Sequence, residues 1–252
     1  MRVPVSAFAS VRSSGLIAMG LDDDDYLGWV RLTNGNQDLI LVTRDGMSIR
    51  FNERDVRVMG RPAGGVSAIR FQDGDELAGM EVITDPRDTL LVVTEYGYGK
   101  RTPLAEYKVQ RRYGSGIRTL SRDSEKTGRI IGSAIVKPED DLTLITAGGM
   151  ALRTEVGMIN IYGRSTSGVK LMDLPHDDVL VSMAIVSEKS EMPPEELGEG
   201  AHTDAVSAVP VSEFVASDEF VDDDEFSDDN EFVDDDEFSD DLDEADYSDD
   251  LD

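Results

Sequence analysis

The apolar residues of this chain come in short runs rather than along one face of a helix. Leu39-Ile40-Leu41-Val42, Leu90-Leu91-Val92-Val93, Leu142-Thr143-Leu144-Ile145 and Val179-Leu180-Val181 are rich in β-branched residues and too short for helices. Runs of this length and composition predict β-strands. Arg44-Asp45-Gly46, Gln72-Asp73-Gly74-Asp75 and Ala147-Gly148-Gly149 fall between them and carry the residues that tight turns select. The pattern makes the fold class all-β. No apolar run approaches the ~18 residues that a membrane-crossing helix needs.

The strand runs are copies of one another. Segments 38–71, 89–120 and 142–172 align without a gap and share a turn glycine (Gly46, Gly97, Gly149) followed four residues on by an arginine (Arg50, Arg101, Arg153). A second arginine follows (Arg61, Arg112, Arg164), then a second glycine (Gly65, Gly116, Gly168). The spacing is 51 and then 52 residues. A partial copy opens the chain, with Gly15 standing 50 residues before Gly65, so Met1 is expected to fall inside a repeat. Four or so strands per repeat make a blade, and blades arranged radially make a propeller-like disc.

Charge separates a second segment from this body. Of the 53 acidic residues, 27 lie beyond residue 190, where no basic residue occurs, leaving 26 acidic against 24 basic in the body. The formal net charge of −29 therefore belongs almost entirely to the tail. Residues 219–241 repeat a hexapeptide of the type Glu-Phe-Val-Asp-Asp-Asp, too charged to bury enough apolar surface to offset chain entropy, so disorder is expected over 188–252. The regularly spaced Phe220, Phe226, Phe232 and Phe238 read as spacing within a low-complexity repeat, or as anchors for docking on a basic surface. No glycine occupies the sixth position of a calcium-loop pattern. Cysteine is absent and only His176 and His202 are present, so disulfides, thiolate nucleophiles and zinc–thiolate sites are excluded and no metal or cofactor is expected. No signal-peptide core follows Met1-Arg2, which makes the cytoplasm the default compartment.

Two segments hold candidate chemistry. Gly97-Tyr98-Gly99-Lys100-Arg101-Thr102 departs from a phosphate-binding loop, with Thr94 where the first glycine should be and Arg101 after the lysine, so it reads as a strand and its turn. Gln110-Arg111-Arg112-Tyr113-Gly114-Ser115-Gly116 sets two guanidinium groups on a glycine-flanked loop able to approach phosphate oxygens. Lys100, Arg101, Lys108, Arg118 and Arg122 are near it in sequence, and Arg50, Arg54, Arg57 and Arg61 recur in the preceding copy. The bland alternative is a solvated charged loop. Repetition favours a basic stripe along successive blades, suited to a curved polyanion.

The segments GLIAMGLDDDDYLGWVRLT, GMSIRFNERDVRVMGR, TEYGYGKRTPLAEYKVQRR and GRSTSGVKLM resemble the carboxyl-terminal domain of the gyrase A subunit, over roughly residues 3–187. That family's domain is a six-bladed β-pinwheel that wraps DNA around its rim and gives gyrase its supercoiling direction. The resemblance implies the end of the third blade and then the fourth to sixth over 1–187, about three and a half blades, followed by the acidic tail. It implies non-sequence-specific binding and bending of double-stranded DNA by Arg50, Arg54, Arg57, Arg61, Lys100, Arg101, Lys108, Arg111, Arg112 and Arg118. The implied partners are the ATPase B subunit of gyrase and the remainder of the A subunit, in the nucleoid-associated cytoplasm. The family's Gln-Arg-Arg-Gly-Gly-Lys-Gly box belongs to the first blade, so its role does not transfer to the look-alike at 110–116. Topoisomerases cleave through a tyrosine beside an arginine, but the sister copies carry Pro62 and Ser165 where Tyr113 stands, and no catalytic residue is expected. The chain reads as a non-enzyme by itself, part of an ATP-dependent type II topoisomerase. The alternatives are the corresponding domain of topoisomerase IV and a protein-interaction propeller. Two further expectations follow: a cut disc leaves unpaired strand edges that invite association, and the tail competes with DNA for the rim.

Overall fold

Turn glycines and β-branched runs alternate, and each pair of runs closes into a hairpin. The first repeat forms β1 (Asp38–Thr43), β2 (Met47–Asn52) and β3 (Leu77–Ile83). The second forms β4 (Thr89–Thr94), β5 (Tyr98–Pro103), β6 (Ile117–Arg118) and β7 (Ile130–Val136). The third forms β8 (Asp141–Thr146), β9 (Ala151–Glu155), β10 (Val169–Lys170) and β11 (Leu180–Val186). These strands come from a computed structural model that describes residues 1–187 apart from 12, 122 and 176. The acidic segment 188–252, with the disorder expected of it, lies outside the described residues.

The strands make three antiparallel sheets, in the orders β3-β1-β2-β6, β10-β5-β4-β7 and β11-β8-β9. A blade is therefore not one repeat, as the period alone suggested. Each hairpin takes its fourth strand from the repeat that follows: β6 pairs with β2, and β10 with β5. The glycine entering the borrowed strand makes this possible. Gly116 and Gly168 have φ of +72° and +76°, and a Cβ on either would sit 2.4 Å from a carbonyl oxygen, that of Ser48 or Gly99. Left-handed backbone and close approach together leave room for glycine alone.

Side-chain alternation along β4 shows how the blades pack. Leu90 and Val92 point into a core shared with Ile40, Val42 and Ile130 of the first and second repeats. Leu91 and Val93 point the other way, into a core with Leu142, Leu144 and Leu180 of the third. Period-2 alternation thus serves two interfaces at once, and all six residues of β4 are buried. The opening segment occupies the place of a further blade. Arg2 bridges to Val58 as Arg50 does to Val109 and Arg101 to Ile161, in parallel each time.

Ala at Gly116 is expected to lower stability by the left-handed penalty of about 1–2 kcal/mol plus about 1–3 kcal/mol of crowding against Ser48. Ala at Gly149, where φ is +85° and nothing lies within 4 Å of a new Cβ, should show the first penalty only. Denaturant unfolding of the two variants measures the difference.

Candidate nucleic-acid interface

The repeated arginines lie at the seams between blades. Arg50 is held beside Asp38, Nη2 to Oδ2 at 2.8 Å, and donates from Nη1 to the carbonyls of Leu104 and Tyr107 in the next repeat, 3.2 Å each. Arg101 is 6% exposed and donates to the carbonyls of Ile159 at 2.7 Å and Gly157 at 3.1 Å. Arg2 does the same to Glu53 at 2.9 Å. In each case the acceptors belong to or adjoin a 3₁₀ turn, Glu53–Asp55, Leu104–Glu106 or Val156–Met158. These turns end with carbonyls that lack a helical partner, and a guanidinium supplies several donors at once. Burial lowers the pKa of Arg101 from its usual value.

The second repeated arginine clamps in the opposite direction. Arg61 donates to the carbonyl of Ile17 at 3.1 Å, Arg112 to that of Ser67, and Arg164 to that of Arg118 at 3.0 Å. The three acceptors occupy one position of the repeat, two residues after its second glycine. Lys100 is fully buried, and its Nζ donates to the carbonyls of Gly163 and Arg164, at 2.7 and 2.6 Å, and to Thr166. Burial lowers its pKa to about 8, with Glu106 opposing and Arg164 reinforcing the fall. Arg118 is half-buried in β6. The expected stripe of repeated arginines is thereby corrected. Arg50, Lys100 and Arg101 are buried inside the body, and Arg61 and Arg112 are committed to neighbouring backbone, because carbonyls at each seam need donors.

The cations that face solvent are those the repeat does not conserve. Arg54, Arg57, Lys108 and Arg111 are exposed, and among the described residues none of them is paired with a carboxylate. Arg54 donates only to the carbonyl of Gly35. They gather along one seam. Segment 108–114 lies against the first repeat through Gln110 to Arg50, Arg112 to Asp55 and Tyr113 to Ala68. Arg70 joins them there, a residue that repetition does not single out, with its guanidinium 5.3 Å from the ring centre of Tyr113. Tyr113 is half exposed and held at φ +66°, a conformation uncommon for a bulky side chain. The available signal was departure from the repeat, since Ser121 and Asp173 occupy the positions equivalent to Arg70. The next seam offers Asn160, Gly163 and Asp173 where this one has Lys108, Arg111 and Arg70. Among the described residues, no group of three or more His, Asp or Glu side chains lies together as metal ligands would.

The borrowed strands and seam clamps recur with the sequence period, and a family with that period matches the chain. The model of the family described as "DNA gyrase C-terminal domain, beta-propeller" matches residues 1–34, 37–84, 88–137 and 140–187, the last three being the segments that form the three hairpins. The chain belongs to this DNA gyrase C-terminal domain family. It is 43% identical over 183 residues to the DNA gyrase A subunit of Haloquadratum walsbyi, covering 72% of this chain and 21% of the relative. It is 39% identical over 191 residues to that of Staphylococcus epidermidis, covering 75% and 21%. The chain thus spans about a fifth of the length of these curated relatives. Among solved structures, the C-terminal domain of DNA topoisomerase IV aligns with a TM-score of 0.70 at 26% identity, over 73% of this chain and 58% of that one. A DNA gyrase A C-terminal domain aligns with a TM-score of 0.65 at 26% identity, over 73% and 60%. For a family domain of this kind, the two sorts of cation have separable consequences.

Arg101→Leu strands two buried carbonyls and is expected to cost about 2–4 kcal/mol, whereas Arg111→Ala stays within about 0.5 kcal/mol; equilibrium unfolding compares them. Lys100 adds a pH signature. Its folded pKa, about 8, lies below the ordinary lysine value, so both states are protonated below pH 8 and the burial penalty is then complete. As pH rises from there toward 10.5 the folded chain releases its proton first and stability increases, by roughly 3 kcal/mol at most. Lys100→Met, which puts an apolar residue where the first repeat has Ile49, should abolish this rise relative to the unaltered chain.

Proposed function

We propose that this chain binds and bends double-stranded DNA without sequence preference, as the C-terminal portion of a type II topoisomerase A subunit of the gyrase kind. The observation that carries the reading is the seam between the first two blades, where Arg54, Arg57, Arg70, Lys108 and Arg111 reach solvent without a carboxylate partner. Elsewhere exposed arginines are largely neutralised, as Arg31 is by Glu81, Arg129 by Asp45 and Arg153 by Asp141. Unpaired guanidinium and ammonium groups along a seam suit phosphate oxygens, and phosphate contacts carry no base information. A body whose other charges nearly cancel directs that attraction to one edge.

In the whole enzyme this contact would support ATP-dependent supercoiling on nucleoid DNA in the cytoplasm. Its partners there would be the ATPase B subunit of gyrase and the remainder of the A subunit. We assign no cleavage chemistry to the chain by itself. The names of the relatives favour gyrase, and the topoisomerase IV alignment favours the same kind of DNA-handling domain.

Lys108→Ala with Arg111→Ala is expected to weaken binding of unrelated duplexes alike. The slope of log affinity against log salt should fall by about 2 × 0.9 if both residues meet phosphates. An unchanged slope places the contact elsewhere, and binding that ignores salt from the outset favours a protein-interaction propeller.

A further inference from the structure

In the first two sheets a borrowed strand covers the outer strand of the hairpin, and in the third it does not. Among the described residues β9 is the edge of its sheet. The turn glycines report the same difference. A Cβ on Gly46 would meet Leu120 at 3.0 Å and one on Gly97 would meet the carbonyl of Met172 at 2.3 Å, but one on Gly149 meets nothing within 4 Å. In the covered blades the carbonyls of Gly46 and Gly97 accept from the backbone of Thr119 at 2.8 Å and Leu171 at 2.7 Å. No such donor reaches Gly149 among the described residues. Arg153 is poised beside Asp141 as Arg50 is beside Asp38, yet its side chain is 66% exposed against 14% for Arg50.

The opposite vacancy occurs at the start of the chain. Gly15 is the repeat's second glycine, with φ +77°, and a Cβ there meets nothing within 4 Å, unlike Gly116 and Gly168. Leu16 and Ile17 hold the positions of β6 and β10, and Ile17 is 72% exposed. Ala18 stands where Thr119 and Leu171 donate to a turn glycine. One chain thus carries an acceptor edge lacking its strand and a donor strand lacking its edge.

We propose that the outer edge of β9 is a docking surface for a second copy of this chain, whose Gly15–Ala18 segment adds as the fourth strand. The register of the two covered blades sets Leu16 antiparallel opposite Ala151 and Ile17 opposite Met150. Ala18 then donates to the carbonyl of Gly149, and Arg153 meets the second copy's 3₁₀ turn, Val5–Phe8, as Arg101 meets Val156–Met158. Strand addition of this kind draws its affinity from main-chain hydrogen bonds. Donor and acceptor are different surfaces, so the contact is head-to-tail and closes into a ring or extends. This association is independent of whether the basic seam takes DNA.

The chain has no cysteine, which leaves a clean background for cross-linking. Full-length chains carrying Leu16→Cys are mixed with chains carrying Ala151→Cys under mild oxidation. Directly opposite residues on antiparallel strands have Cβ atoms about 5 Å apart, near enough for a disulfide. The expected result is an interchain disulfide in large excess over the pair Leu16→Cys with Glu155→Cys, and its loss when Ala18→Pro is added to the donor. Sedimentation of the unaltered chain should rise with concentration, while Ala18→Pro stays at the monomer value. Equal yields at positions 151 and 155, no cross-link at all, or undiminished self-association of Ala18→Pro would each overturn the proposal.

Discussion

A guanidinium seated on the backbone carbonyls of the neighbouring repeat joins each blade to the next, and the rest of the body is arranged around that contact. Arg2, Arg50 and Arg101 each reach forward to a 3₁₀ turn, while Arg61, Arg112 and Arg164 reach back to the residue two positions past a glycine. The borrowed strands β6 and β10 lock the same seams by main-chain pairing. A single three-stranded sheet leaves both faces and one edge exposed to water. Joined in series, the sheets cover one another's faces and edges. Stability of such arrays comes from each unit and its nearest-neighbour interfaces.

This construction divides the basic residues into two populations. Those at repeated positions satisfy buried acceptors and are withdrawn from solvent, so they carry little of any external field. Lys100 is the extreme case, filling the position of the buried Ile49 with a charge that burial makes costly. Those at unrepeated positions, Arg54, Arg57, Arg70, Lys108 and Arg111, do nothing for the seams and are free to act outward. Tyr113 belongs with them. Its left-handed backbone is sustained by hydrogen bonding to Ala68, and its ring carries Arg70. Sparsely populated backbone at an exposed aromatic marks a place where the surroundings enforce a geometry.

Much of the fold was legible in the chain's own residues. The β-branched runs, the turn glycines and the period of 51–52 residues determined hairpins, their number and an all-β array, because strand alternation and positive φ are local demands that each residue type meets or fails alone. Family resemblance rests on the same repeated positions. The site was harder to read for a related reason. Repetition identifies residues that every blade needs, and what every blade needs is its joint to the next, so Arg50, Arg101 and Lys100 looked like a surface and proved to be interior.

Which repeat supplies the fourth strand, where each guanidinium ends and which cations remain in water were decided only by tertiary structure. Those outcomes depend on carbonyls 44 to 64 residues away in sequence, whose positions exist only once the blades have packed. A sequence period reports that a position recurs. Whether its charge faces a neighbouring backbone or the solvent is set by the distance between blades, and that distance is a property of the assembled body.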